Sequence, residues 1–283
     1  NSLFFFDNQL YIIKIFSFFI LIIGILSDMN KFESPKFRII SQFFVVLIFL
    51  LLNKNLIITD LRINFFNNYL EMELISIFFT IFCILILING SNFLDGLNTL
   101  VIGYYNLVLI TILIISIQFN LNINPNVYYL IIFLSIIFLL NFFNKIYLGD
   151  AGSYLISFLT AYFLLDFISN NDSVSPYFIS LLLWYPAFEN LFSILRRFSL
   201  KKKIEQADQG HLHQMIYTKL KAISFINKKY LNTSTGMLIN SFNFIIFSLT
   251  YKYYFSTQKL IMVIIFNLMI YLLLYFSLKK KVN

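Results

Sequence analysis

Charge is scarce in this sequence. Asp, Glu, Lys and Arg make up 12% of its 283 residues, while 59% are hydrophobic. That shortage excludes an ordinary soluble domain, where about a quarter of residues are charged. Cysteine is almost missing: Cys83 stands alone in an apolar run, so no intramolecular disulfide can form. There are two histidines, His211 and His213, and no cysteine or third histidine completes a structural zinc set around them. With only 4 prolines and 8 glycines, breaks in helices are expected to be rare and local. No repeat of roughly 20–50 residues is visible. The apolar runs are continuous rather than alternating, which argues against a β-barrel.

What is abundant is apolar and aromatic: 36 Phe and 18 Tyr, suited to lipid-facing and interfacial surfaces. About nine apolar segments approach the roughly 20 residues that a spanning helix needs. They run over 9–26, 39–53, 70–88, 99–119, 127–143, 153–169, 177–195, 235–250 and 260–278. The fold class expected is therefore all-α, a polytopic membrane helical bundle forming one integral membrane domain over 1–283. The first residue is Asn rather than Met, and we expect the chain to be N-terminally incomplete. Nothing near the start has a signal peptide's charged flank and cleavage site.

Lysine and arginine set the orientation. The connections after the first, third, fifth and seventh spans carry Lys31, Lys36, Arg38, Lys145, Arg196, Arg197, Lys201 to Lys203, Lys219, Lys221, Lys228 and Lys229, and the tail carries Lys279 to Lys281. The other side holds Lys54, Arg62, Lys252 and Lys259. The positive-inside rule makes the first side cytoplasmic. The net charge of +8 then reflects basic loops near anionic lipid, and no nucleic-acid partner is expected.

Four polar clusters fall on that same side. In Asn89-Gly-Ser-Asn92-Phe-Leu-Asp95-Gly-Leu-Asn98, the residues Asn89, Asn92 and Asp95 are spaced three apart and share a face if helical. The plain reading is a solvated turn. Gly149-Asp150-Ala-Gly152-Ser153 surrounds an acid with glycines, which suits backbone N–H groups facing an anion and an acid on a hard cation, or else an N-cap. Ser27-Asp28 ends the first span, where Asp28 reads as a base, a metal contact or a cap. The stretch from Arg196 and Arg197 to Asp208, His211 and His213 suits a pyrophosphate better than a structural metal. Glu189, inside the seventh span, is expected to pair with Arg196. Asp166 and Glu189 are intramembrane acids, functional candidates by default.

Together these clusters resemble the bacterial polyprenyl-phosphate N-acetylhexosamine-1-phosphate transferases. The resemblance rests on Asn89, Asn92, Asp95, Gly96, Asn98 and Leu100; on Gly149, Asp150, Gly152 and Ser153; and on Arg196, Arg197, Asp208, His211, Leu212 and His213. The chain departs from the pattern at Ser27, where the family usually has a first Asp of an Asp-Asp pair, and at Ala207, Gln209 and Gln214. The single His-Leu-His and the basic tail look more like the GlcNAc branch than the MurNAc-pentapeptide branch.

The resemblance implies transfer of N-acetylhexosamine 1-phosphate from a UDP-sugar to undecaprenyl phosphate, releasing UMP. It implies a multi-pass protein of the bacterial inner membrane whose site faces the cytoplasm, with magnesium (or manganese) as cofactor and a homodimer as a possible assembly. Asp150 would hold the metal. Asp28 and Asp95 would be the catalytic acids, with Asp28 the candidate base. Asn89, Asn92, Asn98, Gly149, Ser153, Arg196, Arg197, Asp208, His211 and His213 would bind substrate. The alternatives are a phospho-MurNAc-pentapeptide transferase and, from another class, a secondary transporter. The latter calls for charged residues near the bilayer midplane and paired broken helices.

Overall fold

The computed structural model describes residues 2–31, 34–199, 210–222 and 227–279, with side chains from residue 10 onward. Among the described residues the regular structure is helical. The helices are α1 (Ser2–Asp28), α2 (Pro35–Leu52), α3 (Asn64–Leu70), α4 (Glu73–Leu94), α5 (Leu100–Phe119), α6 (Asn126–Phe142), α7 (Gly149–Ser169), α8 (Pro176–Leu182), α9 (Trp184–Ser199), α10 (Leu212–Ala222), α11 (Leu231–Thr250) and α12 (Thr257–Lys279). Each expected apolar segment is helical, and the seventh is divided between α8 and α9. The short α3 and α10 had no counterpart in the apolar pattern.

Fewer helices meet the requirements of a bilayer than the sequence led us to expect. Among the described residues, six are by length and composition long and apolar enough to cross one, seven if α8 and α9 together form one bent span. At 17 residues, α6 is about 26 Å long, short of a hydrocarbon core of about 30 Å. The 20-residue α11 is long enough, but it buries Thr233, Thr235, Asn240 and Asn243. Those polar groups face protein rather than lipid, as polar side chains at membrane depth must.

The bend between α8 and α9 is 73°. Pro186 lies in the first turn of α9, so the chain has no N–H there to reach back to the Leu182 carbonyl. Tyr104 of α5, fully buried, supplies what is missing. Its hydroxyl donates to Leu182 O at 2.8 Å and accepts from Tyr185 N at 3.4 Å. An unpaired backbone group in this setting costs several kcal/mol, so the hydroxyl makes the bend tolerable. The bend turns α9 onto α4, where Asn190 Nδ2 donates to Ile86 O at 3.0 Å. A Cβ on Gly90 would overlap the Pro186 carbonyl, and one on Gly24 would overlap the backbone of Ala151. Small residues thus let α1 meet α7, and α4 meet α9, at backbone distance.

These crossings gather Asp28, Asp95, Asp150 and Glu189 at one end of the bundle. The far end has its own lock. Arg62 donates to the carbonyls of Asp172 (2.5 Å), Val174 (3.0 Å) and Phe255 (3.0 Å), joining three connections. Asp166, in the last turn of α7, lies at that far end and accepts from Asn124 and Asn170.

Replacing Tyr104 with Phe should orphan the Leu182 carbonyl and the Tyr185 amide. We expect a stability loss of about 1–3 kcal/mol, read as a lower thermal midpoint in detergent. An unchanged midpoint would show that the bend does not depend on this hydroxyl.

Candidate active site

Asp150 is the meeting point of the four polar clusters. It lies in the first turn of α7, not in the preceding loop. Its Oδ1 accepts from Asn92 Nδ2 of α4. Its Oδ2 accepts from Ser27 Oγ of α1, from Arg38 Nη1 of α2 at 3.0 Å, and from Tyr154 OH at 3.3 Å. Arg38 Nη1 also reaches Ser27 Oγ at 2.8 Å. Four donors fill the roughly four lone-pair positions of a carboxylate. The Asp150 and Arg38 side chains are 24% and 28% exposed, so the cluster is open to solute.

Asp28 caps this same helix from outside. Its Oδ1 accepts from Asp150 N at 2.9 Å and its Oδ2 from Ala151 N at 3.1 Å. A carboxylate placed there satisfies orphan amides and complements the positive end of the helix dipole. Of the three readings open for Asp28, the cap is the one its contacts display. Gly149 precedes it with φ +65°, and a Cβ there would stand 2.9 Å from Asp28 Oδ2. Only glycine fits both the backbone and the space.

Asp95 ends α4 as its C-cap. Burial pushes its pKa up from 3.8 to about 8; the negative charges of Asp150 and Asp28 add to the rise, and the Gly149 amide partly opposes it. The carboxylates of residues 28, 95 and 150 therefore share one electrostatic environment. Among the described residues, no three His, Cys, Asp or Glu side chains group closely enough to hold a metal by themselves. The mutual repulsion is nevertheless of the kind a divalent cation relieves, and magnesium takes one or two carboxylates with phosphate oxygens and water. A cation reaching Asp150 must displace one of its four donors, and partly exposed Arg38 is the one freest to turn away.

The histidine arm stands beside this acidic group. His211 Nδ1 bonds Glu189 Oε1 at 3.0 Å, Leu212 N donates to the same oxygen at 3.3 Å, and Tyr271 OH donates to Glu189 Oε2 at 2.7 Å. Glu189 thus pairs with His211 and Tyr271, not with Arg196 as expected. The His211 and His213 rings stack with centroids 5.5 Å apart, and Phe93 lies 5.3 Å from His211. Both ring nitrogens of the buried His213 lack hydrogen-bond partners. Burial depresses its pKa to about 4; Glu189 opposes the shift and His211 adds to it. A Cβ on Gly96 would lie 3.6 Å from His213 Nε2, so a neutral imidazole overhangs the turn after Asp95.

The other expected site residues are placed as follows. Asn89 Nδ2 donates to Gln42 Oε1 (3.0 Å) and Leu85 O (2.9 Å), on the α2 side of α4. Asn98 Nδ2 donates to Asn144 Oδ1 at 2.6 Å. Ser153 Oγ donates to the Asp150 carbonyl at 3.2 Å. Arg196 donates to Gly210 O, and Arg197 lies 5.6 Å from the Phe93 ring centroid. Asp208 lies outside the described residues. Arg38 and Ser27 were not picked as site residues from the sequence. Their signal was an arginine near the start of a span and a hydroxyl where the family pattern has an acid.

A family model described as "Glycosyl transferase family 4" matches residues 10–168, more than half of the chain. The chain belongs to glycosyl transferase family 4. It is 25% identical over 218 residues to a Bacillus subtilis (strain 168) protein named "Probable undecaprenyl-phosphate N-acetylglucosaminyl 1-phosphate transferase". That alignment covers 74% of this chain and 59% of the relative's length. The family 4 match contains Asp28, Asp95 and Asp150, while Glu189 and both histidines lie beyond it. This family 4 chain also has a cavity of about 610 Å³ that reaches from Asp60, Arg62 and Asp172 at the far end to the α8–α9 bend. It is lined by Phe82 and Leu87 of α4, Leu164 of α7, Ile179 of α8 and Leu191 of α9.

The raised pKa of Asp95 makes a signed prediction. The folded protein retains a proton that the unfolded chain releases, so stability falls as pH rises toward 8. His213 acts oppositely, but its effect ends near its ordinary value of 6.5. Between pH 6.5 and 8 the thermal midpoint should therefore fall, and Asp95→Asn should flatten the fall. An equal slope in the variant would contradict the placement of Asp95.

Proposed function

We propose that this protein transfers N-acetylglucosamine 1-phosphate from UDP-N-acetylglucosamine to undecaprenyl phosphate, releasing UMP. The observation that carries the reading is the convergence of Asp95 and Asp150 at one end of an apolar bundle, with a guanidinium and a histidine pair alongside. The name of the Bacillus subtilis relative supports the choice of sugar and lipid. A lipid phosphate oxygen attacks the phosphorus that bears the sugar. The bond from that phosphorus to the bridging oxygen breaks, and UMP leaves with that oxygen. The second pKa of a phosphate monoester is about 6, so the nucleophile is largely ionised at neutral pH and needs no base. Asp28 then serves by fixing the first turn of α7.

Both reactants are anionic, and this end of the chain answers that with positive charge. Arg38 presents a guanidinium at the mouth of the site, suited to the lipid phosphate. His213, unpartnered and neutral, offers a ring nitrogen to the donor diphosphate or sugar, and Glu189 fixes the ring of His211. Asp150 and Asp95 would hold magnesium, or manganese, together with diphosphate oxygens. Bound there, the ion supplies charge neutralisation at the leaving phosphate. The stretch of the 610 Å³ cavity lined by apolar residues of α4, α7 and α9 suits part of the prenyl chain. Lys31, Lys36, Lys145, Lys219, Lys221, Lys228 and Lys229 flank the same end, which favours a cytosolic site in the inner membrane.

Membranes carrying the full-length protein, supplied with undecaprenyl phosphate and a panel of UDP-sugars, should release UMP with UDP-N-acetylglucosamine only when a divalent cation is present. Asp150→Asn should lower that release about 100-fold or more. Solute flux into vesicles without UMP release, or full activity in Asp150→Asn, would sink the reading.

A further inference from the structure

The turn that follows Asp95 and the turn that precedes Asp150 are joined to one another by asparagines. Asn141, in the last turn of α6 and 3% exposed, uses both ends of its amide. Its Oδ1 accepts from Thr99 N at 2.5 Å, four residues after Asp95. Its Nδ2 donates to Ile146 O at 2.9 Å, four residues before Asp150. A second bridge runs beside it, from Asn98 Nδ2 to Asn144 Oδ1 at 2.6 Å. Both turns are held in unusual backbone conformations. Thr99 has φ 67° and Asn144 has φ 58°. Asn tolerates that left-handed region, but a β-branched Thr there is strained.

Such strain persists only where the surroundings over-determine it. Thr99 is fixed on every side. Its N–H goes to Asn141, its carbonyl accepts from Asn240 Nδ2 at 2.8 Å, and its Oγ1 donates to Thr233 O at 3.2 Å. The Asn98 amide N–H donates to Asn232 Oδ1 at 2.9 Å. A Cβ on Gly236 would overlap the Asn98 carbonyl, so α11 presses directly on this turn. None of these contacts reaches the carboxylates. All of them fix the backbone that carries the carboxylates.

We propose that Asn98, Asn141 and Asn144 are positioning residues that hold the Asp95 turn and the Asp150 turn at a fixed separation, so that both acids meet one donor diphosphate. This rests on the transferase reading above. It assigns Asn98 a task different from the substrate contact that the family pattern implies.

The test is UMP release by the full-length protein with UDP-N-acetylglucosamine, measured as kcat and KM for Asn98→Ala, Asn144→Ala, their double variant, Asn141→Ala and Asn141→Asp. Each single alanine should lower kcat about 10- to 100-fold and leave KM within about twofold of wild type. The Asn98/Asn144 double should be no worse than either single, because the two amides form one bridge. Asn141→Asp keeps the acceptor for Thr99 and should recover part of what Asn141→Ala loses. Half-buried Asn144, in a connection between helices, makes that pair decisive if Asn141→Ala fails to accumulate. A raised KM in Asn98→Ala alone, additive losses in the double, or a lower thermal midpoint with unchanged kcat would each overturn the proposal. Absence of UMP release by the wild-type protein would instead overturn the transferase reading.

Discussion

A single carboxylate draws the top of this bundle together. Asp150 carries a charge at the edge of an apolar assembly, where an unpaired ion is expensive. It is balanced by a hydroxyl from α1, a guanidinium from α2, an amide from α4 and a phenol from its own helix. Three helices distant in sequence are therefore fixed relative to the start of α7. The reciprocal contact is the Asp28 carboxylate of α1 on the exposed amides of that same turn. Removing Asp150 would leave Arg38 without its carboxylate partner and loosen the α1–α7 crossing that Gly24 permits.

From that knot the rest of the site follows. With α4 held by Asn92, Asp95 falls at the end of the helix within reach of the Asp150 and Asp28 fields. The bend at Leu183, made possible by Pro186 and satisfied by Tyr104, lays α9 against α4. Glu189 then lies at the depth where His211 can meet it. Polar side chains buried between apolar helices are costly. Buried acids are costlier still, and among the described residues Glu189 lies toward this end and Asp166 at the far end, while amides and hydroxyls such as Thr160, Asn243 and Asn267 are buried along the helices between them. The middle of the bundle is packed by aromatic and aliphatic residues, including Tyr104, Tyr105, Phe158, Phe167 and Phe178.

Much of this was legible in the residues alone. Continuous apolar runs gave the helices, and the clusters around Asp28, Asp95 and Asp150 were recognisable by their spacing and residue types. Apolarity did not report helix lengths in full: α6 has only 17 residues yet runs from the far end beside Asn124 to the acidic end at Asn141, and α11 is long but buries asparagines and threonines against protein. The i, i+3 spacing put Asn89 and Asn92 together on paper. In the structure Asn92 reaches Asp150, while Asn89 is engaged by Gln42, a partner 47 positions away. Arg38 read as a positive-inside charge for phosphate or lipid headgroups because nothing local distinguishes such an arginine from one that meets a carboxylate. Asn141 and Asn144 sit at the end of an apolar run and signal nothing until the facing turn is seen. Long-range pairing decides these cases, and local pattern carries no record of it.

The proposed transfer requires two acidic turns, from α4 and from the start of α7, to act on one diphosphate through one cation. Titration of the purified full-length protein with Mn²⁺ in the presence of UDP-N-acetylglucosamine, with free Mn²⁺ followed by electron paramagnetic resonance, tests it most directly. Asp95→Asn and Asp150→Asn should each weaken Mn²⁺ binding about tenfold or more. Wild-type affinity in either variant would contradict the shared site.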